Sequence, residues 1–166
     1  MEDISSVNLP LLQKLKMMLF ALSTTRLIIF ALLLLFVATL PSLALLLLNP
    51  DLQFGGPGWG ADNVGRMILW GCVLAPLLET IVHQWACLRI LEKLRVRASV
   101  AIVLSSLGFA AAHDYSVPYM LTAFFSGVVL STVFVVERKK RGYPFLATLA
   151  VHALKNWIVS AHLLLA

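Results

Sequence analysis

The feature that most constrains this chain is a series of long apolar runs separated by short polar connections. Hydrophobic residues make up 60% of its 166 positions. Several of the runs approach or exceed the roughly 20 residues that a helix needs to cross a bilayer, and so much apolar sequence is unusual for a soluble domain. We therefore expect an all-α, polytopic membrane helix bundle that forms a single domain.

Five spanning helices are predicted, and an amphipathic segment precedes them. The segment at 1–25 places Leu11, Leu15 and Leu19 on one helical face, which is typical of a helix lying in the membrane interface. A cytoplasmic extension of the first span would show the same periodicity. The transmembrane bundle then occupies 26–166, and its predicted spans are 26–48, 64–91, 98–113, 118–137 and 143–166.

The positive charges predict how the bundle is oriented. Lys and Arg occur between residues 14 and 26, at 93–97 and at 138–141, whereas the connections 49–63 and 114–117 contain none. By the positive-inside rule, the N-terminus lies inside and the C-terminus outside. We expect an integral protein of a prokaryotic cytoplasmic membrane. The lipid bilayer is then its main partner, and the net charge of +5 does not indicate nucleic acid. The oligomeric state stays open.

Four polar side chains, Glu79, His113, His152 and Asn156, lie within or at the end of apolar runs. A charged group near the bilayer centre costs about 2.5–3.5 kcal/mol, so such residues usually mark a functional site. At a rise of about 1.5 Å per residue, all four lie about 15–24 Å from the basic connections. They therefore share one layer, and we expect a water-filled cavity inside the bundle at that depth.

The spacing of these residues favours hydrolytic chemistry. His152 and Asn156 are four residues apart and share a helical face, as do Phe109 and His113, and Glu79 and His83. A carboxylate beside an imidazole can deprotonate a water molecule, and a second imidazole with an amide can stabilise an oxyanion. The pattern predicts the hydrolysis of a peptide bond.

Three short motifs occur in order on successive predicted helices, and together they resemble those of the CPBP family of intramembrane proteases. This family includes CAAX-processing and bacteriocin-processing proteins, and its pattern is E-E-x-x-x-R, F-x-x-x-H, H-x-x-x-N. The resemblance covers about Met67 to Ser160. The matching segments here are Ala75-Pro-Leu-Leu-Glu79-Thr80-Ile-Val-His83-Gln84, Phe109-Ala-Ala-Ala-His113 and His152-Ala-Leu-Lys-Asn156.

The resemblance implies an intramembrane endopeptidase of the glutamic type, without a metal or another cofactor. Its substrate would be a membrane-embedded or lipidated peptide, and its protease-like core would lie at 64–166. In this interpretation Glu79 activates the water, His113 helps to hold it, and His152 with Asn156 forms the oxyanion site. Supporting positions are Thr80, His83, Gln84 and Phe109.

The chain departs from the family pattern at two positions. Thr80 replaces the second glutamate and Gln84 replaces the arginine, so the first motif reads E-T-x-x-x-Q. We interpret the change as the replacement of an ion pair by neutral polar groups. The alternative is a catalytically inactive family member that acts as a scaffold.

Other interpretations use the same polar residues. A transport or proton-relay protein would use Glu79, Lys155 and the histidines, although no inverted repeat is visible. Glu79 could also simply pair with Lys155 between helices. Zinc is the alternative cofactor, since its ligands would be Glu79, His83, His113 and His152.

Overall fold

The computed structural model describes residues 10–58 and 63–165, and every regular element in these ranges is helical. The predicted all-α fold is confirmed, and the helix positions agree with prediction to within a few residues. The helices are α1 Leu11–Ala21, α2 Thr24–Val37, α3 Leu40–Leu48, α4 Val64–Lys93, α5 Ala98–Ala111, α6 Val117–Lys140 and α7 Pro144–Leu165.

Three segments of the described chain are long and apolar enough to cross a membrane. They are Thr24–Leu48, which combines α2 and α3, and the helices α4 and α6. The other two predicted spans are present as helices of the bundle. With 14 residues, α5 is about 21 Å long, which is short for a hydrocarbon core of about 30 Å. The 22 residues of α7 carry the polar His152, Lys155 and Asn156.

The first predicted span is not one continuous helix. Regular structure stops at Ala38 and Thr39, and α3 begins with Pro41 in its first turn. A proline has no backbone N–H and its ring crowds the carbonyl of the preceding turn, which interrupts the helix there. After the break, the Ser42 hydroxyl donates to the Pro118 carbonyl at 2.7 Å and accepts from Thr122 at 2.7 Å. These bonds join α3 to α6.

Helix α4 contains two π-helical segments, Met67–Leu74 and Thr80–Cys87. Such segments are rare and occur mostly near functional sites. At the end of the first, the Ala75 N–H bonds to the carbonyl of Trp70, five residues earlier. The next donor in this register would be Pro76, which has no N–H. The carbonyl of Gly71 therefore needs a donor from another helix.

Helix α6 lies at the centre of the bundle and packs against α2, α3, α5 and α7. The outer surface remains apolar, as shown by Leu47, which is 83% exposed, and by Leu78 and Val82 on α4, which are 51% and 54% exposed. Exposed apolar area on this scale suits lipid as the surrounding solvent. The main core consists of Leu27, Ala31, Leu35, Phe109, Ala110, Ala123, Leu130, Val133, Val136, Ala147 and Val151.

Helix α1 packs against this core mainly through its last turn. Leu19 and Phe20 are partly buried there, while Leu11, Lys14 and Leu15 are exposed. An exposed surface that mixes apolar and basic side chains is what a helix in the membrane interface presents. The interfacial position of the N-terminal segment stays a prediction, and residues 1–9 lie outside the described part of the chain.

Helices α5 and α6 are in close contact at Gly127. A Cβ atom at this position would lie 3.0 Å from the Cα and 3.2 Å from the Cβ of Ser106. The nearer contact is with backbone, which cannot move aside as a flexible side chain could. Small residues allow this kind of close helix packing inside membranes.

Gly127→Ala is therefore expected to lower the free energy of unfolding by about 1–3 kcal/mol, since the added methyl group forces the two helices apart. Gly65→Ala is the matched control, because a Cβ there meets nothing within 4 Å and alanine favours the helix. Unfolding of both variants in mixed micelles of increasing SDS content measures the difference. Equal stability of the two would contradict the packing argument.

The buried carboxylate of Glu137, near the end of α6, connects segments from different parts of the chain. Glu137 is fully buried and accepts hydrogen bonds from Lys140 Nζ at 2.8 Å, Thr24 Oγ1 at 3.0 Å and the Tyr143 backbone N–H at 3.1 Å. Lys140 Nζ also donates to the Leu22 carbonyl at 2.7 Å. The pair thus ties the joint between α1 and α2 to the turn between α6 and α7.

Candidate active site

Glu79 lies on α4 at the start of its second π segment, and one of its oxygens meets imidazoles from two other parts of the bundle. Glu79 Oε2 is 3.5 Å from His113 Nε2 and 3.5 Å from His152 Nε2. The carboxylate side chain is 24% exposed and the two imidazoles are 13% and 7% exposed. The depth and phase arguments predicted this convergence.

His113 follows the end of α5, which stops at Ala111 and not at the predicted residue 113. The carbonyl of Phe109 lies beyond the reach of the helical donors there, and His113 Nδ1 is 2.7 Å from it. A carbonyl only accepts, so the proton of the neutral ring is on Nδ1 and the lone pair of Nε2 faces Glu79. The helix end thereby sets both the orientation and the tautomer of His113.

This tautomer places two acceptors side by side. An ionised Glu79 and the Nε2 lone pair of His113 cannot hydrogen-bond each other, but each can accept a hydrogen from one water molecule. A separation of 3.5 Å is longer than a direct charge-assisted hydrogen bond of about 2.7–2.9 Å. The arrangement can therefore hold a water against the carboxylate.

Phe109 packs among three imidazoles and is only 3% exposed. Its ring centroid lies 4.4 Å from that of His113, 5.7 Å from that of His152 and 5.4 Å from that of His83. Edge contacts of this kind fix ring positions. His83 lies across this ring, and in the described residues no ion pair joins it to Glu79. The shared face of the two residues stays a prediction.

Asn156 connects α7 to the irregular turn of α4. Its Nδ2 donates to the carbonyl of Gly71 at 2.8 Å, the same carbonyl that Pro76 leaves without a backbone partner. An amide group has two N–H bonds, so one remains for a ligand. Asn156 lines the same cavity as Glu79 and His152.

These side chains open into a cavity of about 780 Å³. A volume of this size is within the range of sites that hold small molecules or a short peptide segment. The cavity extends from the candidate residues to the glycine-rich connection that follows α3. Its lining includes Phe54, Gly55, Gly56, Pro57, Gly58, Glu79, His113, Tyr119, His152, Lys155 and Asn156.

A comparison with protein families matches residues 62–158 to the family described as Type II CAAX prenyl endopeptidase Rce1-like. The matched segment is more than half of the chain and contains all four candidate residues. The chain belongs to this family. Its members are proteases, which confirms the resemblance to the CPBP family and does not favour transport or scaffolding. The comparison with curated proteins gave no match, and neither did the comparison with solved structures.

This Rce1-like chain does not replace the family's ion pair by a direct hydrogen bond. Thr80 and Gln84 are both fully buried, and in the described residues Thr80 Oγ1 and both amide atoms of Gln84 lack a hydrogen-bond partner. Unpaired buried polar groups cost free energy. Thr80 and Gln84 are thus buried without a hydrogen bond between their side chains, and neither residue lines the cavity. That they replace an ion pair stays a prediction.

The sequence interpretation missed the aromatic wall of the cavity. The Tyr119 ring stacks on His113 at 5.8 Å and meets the Phe54 ring at 5.6 Å. The Ser116 hydroxyl donates to the Phe54 carbonyl, which holds the glycine-rich connection beside the Rce1-like site. The run Gly55-Gly56-Pro57-Gly58 was the sequence signal for this connection, since such a run permits a sharply turning path across a cavity mouth.

Metal binding would need several ligating side chains close together. In residues 10–58 and 63–165, no three His, Cys, Asp or Glu side chains form a group that could hold a metal ion. The zinc alternative, which also uses His83, stays a prediction.

Proposed function

We propose that this Rce1-like protein is a glutamic-type intramembrane endopeptidase that hydrolyses a peptide bond of a membrane-anchored or lipidated substrate. One observation carries the proposal: a single Glu79 oxygen lies 3.5 Å from two imidazole nitrogens in a large cavity of an apolar bundle. Intramembrane acids that face an interior cavity are functional by default.

In the proposed first step, Glu79 and His113 orient a water molecule towards the scissile carbonyl. Glu79 takes one proton from this water while the water oxygen forms a bond to the carbon of the scissile carbonyl. The lone pair of His113 Nε2 accepts the second hydrogen of the water and keeps the nucleophile in place. Phe109 and Tyr119 hold the His113 ring from two directions, which limits the motion of the reacting groups.

The tetrahedral intermediate then carries a negative oxygen. His152 Nε2, when it bears the ring proton, and the free N–H of Asn156 are the donors proposed for this oxygen. As the intermediate collapses, the carbon–nitrogen bond breaks and Glu79 returns its proton to the leaving amine. The products are a new carboxylic acid and a new amine; a proton passes from the acid to the amine to give a carboxylate and an ammonium group, and the site is restored.

The surroundings support a substrate that reaches the site from lipid. The outer faces of α4 and α7 are apolar, with Leu78, Val82 and Leu154 all exposed. A lipid anchor or an apolar peptide segment would partition into the same layer. The alternating basic connections further support a prokaryotic cytoplasmic membrane as the location, with the N-terminus inside.

The direct test is cleavage of a lipidated, internally quenched peptide library by the protein in proteoliposomes, in water enriched in the heavy oxygen isotope. We expect a fragment whose new carboxylate carries one heavy oxygen, because hydrolysis takes that atom from water. Empty liposomes are the control. The absence of any cleaved peptide from the library would contradict the proposal.

The proposed chemistry also predicts how cleavage responds to chelators. Preincubation with EDTA or 1,10-phenanthroline should leave kcat/KM within about twofold of its starting value, because water activation is assigned to a carboxylate. The measurement uses the same proteoliposomes, and a known zinc protease serves as the positive control. A loss of activity that added zinc restores would assign the site to the metal alternative.

A further inference from the structure

Lys155 is a second ionisable residue in the cavity, and the proposed mechanism does not use it. It lies near the middle of α7, Pro144–Leu165, and therefore about 15 Å from either end of that helix. Among the cavity-lining residues of the described chain, Lys155 is the only Lys or Arg and Glu79 is the only Asp or Glu. The cavity thus holds one cation and one candidate base.

The two charges do not pair with each other. Within 4 Å, the contacts of Glu79 go to His113 and His152, and in the described ranges Lys155 forms neither an ion pair nor a side-chain hydrogen bond. A charge at this depth is costly, so intramembrane lysines normally have an anionic or carbonyl partner. The partner of Lys155 is therefore expected from a ligand in the cavity.

We infer that the Lys155 ammonium group is the subsite for a carboxylate of the peptide substrate. The inference rests on the proposed endopeptidase function and adds its substrate class. Lys155 is three residues from His152 and adjacent to Asn156, so the bound carboxylate lies about one helical turn from the proposed oxyanion donors. Cleavage then occurs within a few residues of the carboxylate, and the ammonium group positions the scissile bond.

The depth of Lys155 argues for the peptide as the source of the anion. Phospholipid phosphates lie at the membrane surface, roughly 15 Å from the centre of a spanning helix, whereas a peptide carboxylate enters with the substrate. The carboxylate can belong to the C-terminus or to an Asp or Glu side chain. Peptides that carry one or the other distinguish these two sources.

The test measures binding and cleavage separately, in phosphatidylcholine nanodiscs with the full-length chain. Three lipidated peptides share one sequence: one has a free C-terminal carboxylate, one has a C-terminal amide, and one has the amide and an added glutamate. Binding is measured with Glu79→Gln, alone and combined with Lys155→Met, which has similar length without charge. Leu154→Met in the same helix turn is the matched control, since Leu154 is 45% exposed on the outer surface.

We expect a carboxylate-bearing peptide to bind about tenfold more tightly than the carboxylate-free peptide. Lys155→Met should remove this difference, Lys155→Arg should retain most of it, and Leu154→Met should leave it unchanged. With Glu79 present, the ratio of kcat/KM values should follow the same pattern. Equal binding of all three peptides, or a preference that survives Lys155→Met, would overturn the inference.

Two outcomes separate this inference from the proposed function. Binding that depends on Lys155 without any cleavage would refute the endopeptidase and leave the carboxylate subsite standing. Cleavage with the same kcat/KM for all three peptides would support the endopeptidase and refute the carboxylate subsite. Adding phosphatidylglycerol to the nanodiscs tests whether the anion is a lipid phosphate. If this lipid abolishes the preference for carboxylate-bearing peptides in a manner that depends on Lys155, the anion is a lipid phosphate and the inference is wrong.

Discussion

Glu79→Gln should reduce kcat/KM for a lipidated peptide by about 10³-fold, because glutamine cannot accept the proton of the attacking water. The substitution preserves the size of the side chain and its ability to accept a hydrogen bond. Glu79 is 24% exposed towards the cavity and makes no close salt bridge that supports the fold. The loss should therefore appear in the rate of cleavage and leave the unfolding transition almost unchanged.

Glu92→Gln provides a matched control for this result. Glu92 also lies on α4, its side chain is 56% exposed, and it contacts Arg138 at 3.3 Å. Solvated pairs of this kind contribute little to stability. We expect wild-type kcat/KM for Glu92→Gln in the same preparation. Wild-type cleavage by Glu79→Gln would rule out this residue as the base and would end the proposed mechanism.

Glu137→Ala should lower the free energy of unfolding by about 3 kcal/mol, since removing one member of a buried ion pair leaves the other charge unpaired. Glu137 is fully buried and has Lys140, Thr24 and the Tyr143 backbone N–H as donors. All three donors lose their acceptor in the variant. Because they belong to different elements, the joint between α1 and α2 should detach from the end of α6.

SDS-induced unfolding followed by circular dichroism measures this effect, and Glu92→Ala is the control for removing an exposed carboxylate. The Glu92–Arg138 pair is 56% and 40% exposed, so the control should lose less than about 1 kcal/mol. Glu137→Gln should fall between them, because an amide oxygen still accepts hydrogen bonds. Equal losses for Glu137→Ala and Glu92→Ala would show that burial of this pair contributes nothing.

The convergence of Glu79, His113 and His152 could be predicted from the sequence because membrane helices restrict which polar side chains can meet. Polar residues are few in an apolar run, the rise per residue is constant, and helical phase decides which side chains share a face. Helix α6 was also predictable, since Ser116 precedes it as an N-cap and Pro118 lies in its first turn.

The sequence did not predict the details that depend on neighbouring helices. The π segment before Pro76 requires an outside donor for the Gly71 carbonyl, and Asn156 supplies it from 85 residues further along the chain. The contact between the His83 and Phe109 rings, whose centroids lie 5.4 Å apart, likewise joins two different helices. The burial of Thr80 and Gln84 without hydrogen-bond partners likewise depends on packing that no local pattern describes.

The π segment Met67–Leu74 also limits how this part of the chain can change during evolution. In an α-helix, each residue gained or lost turns everything beyond it by about 100°. A single deletion in the α-helical stretch Ala75–Glu79 would therefore swing the carboxylate out of the cavity and towards the acyl chains. Substitutions can accumulate on the outer face of α4, but insertions and deletions in this stretch should be absent from every active homologue.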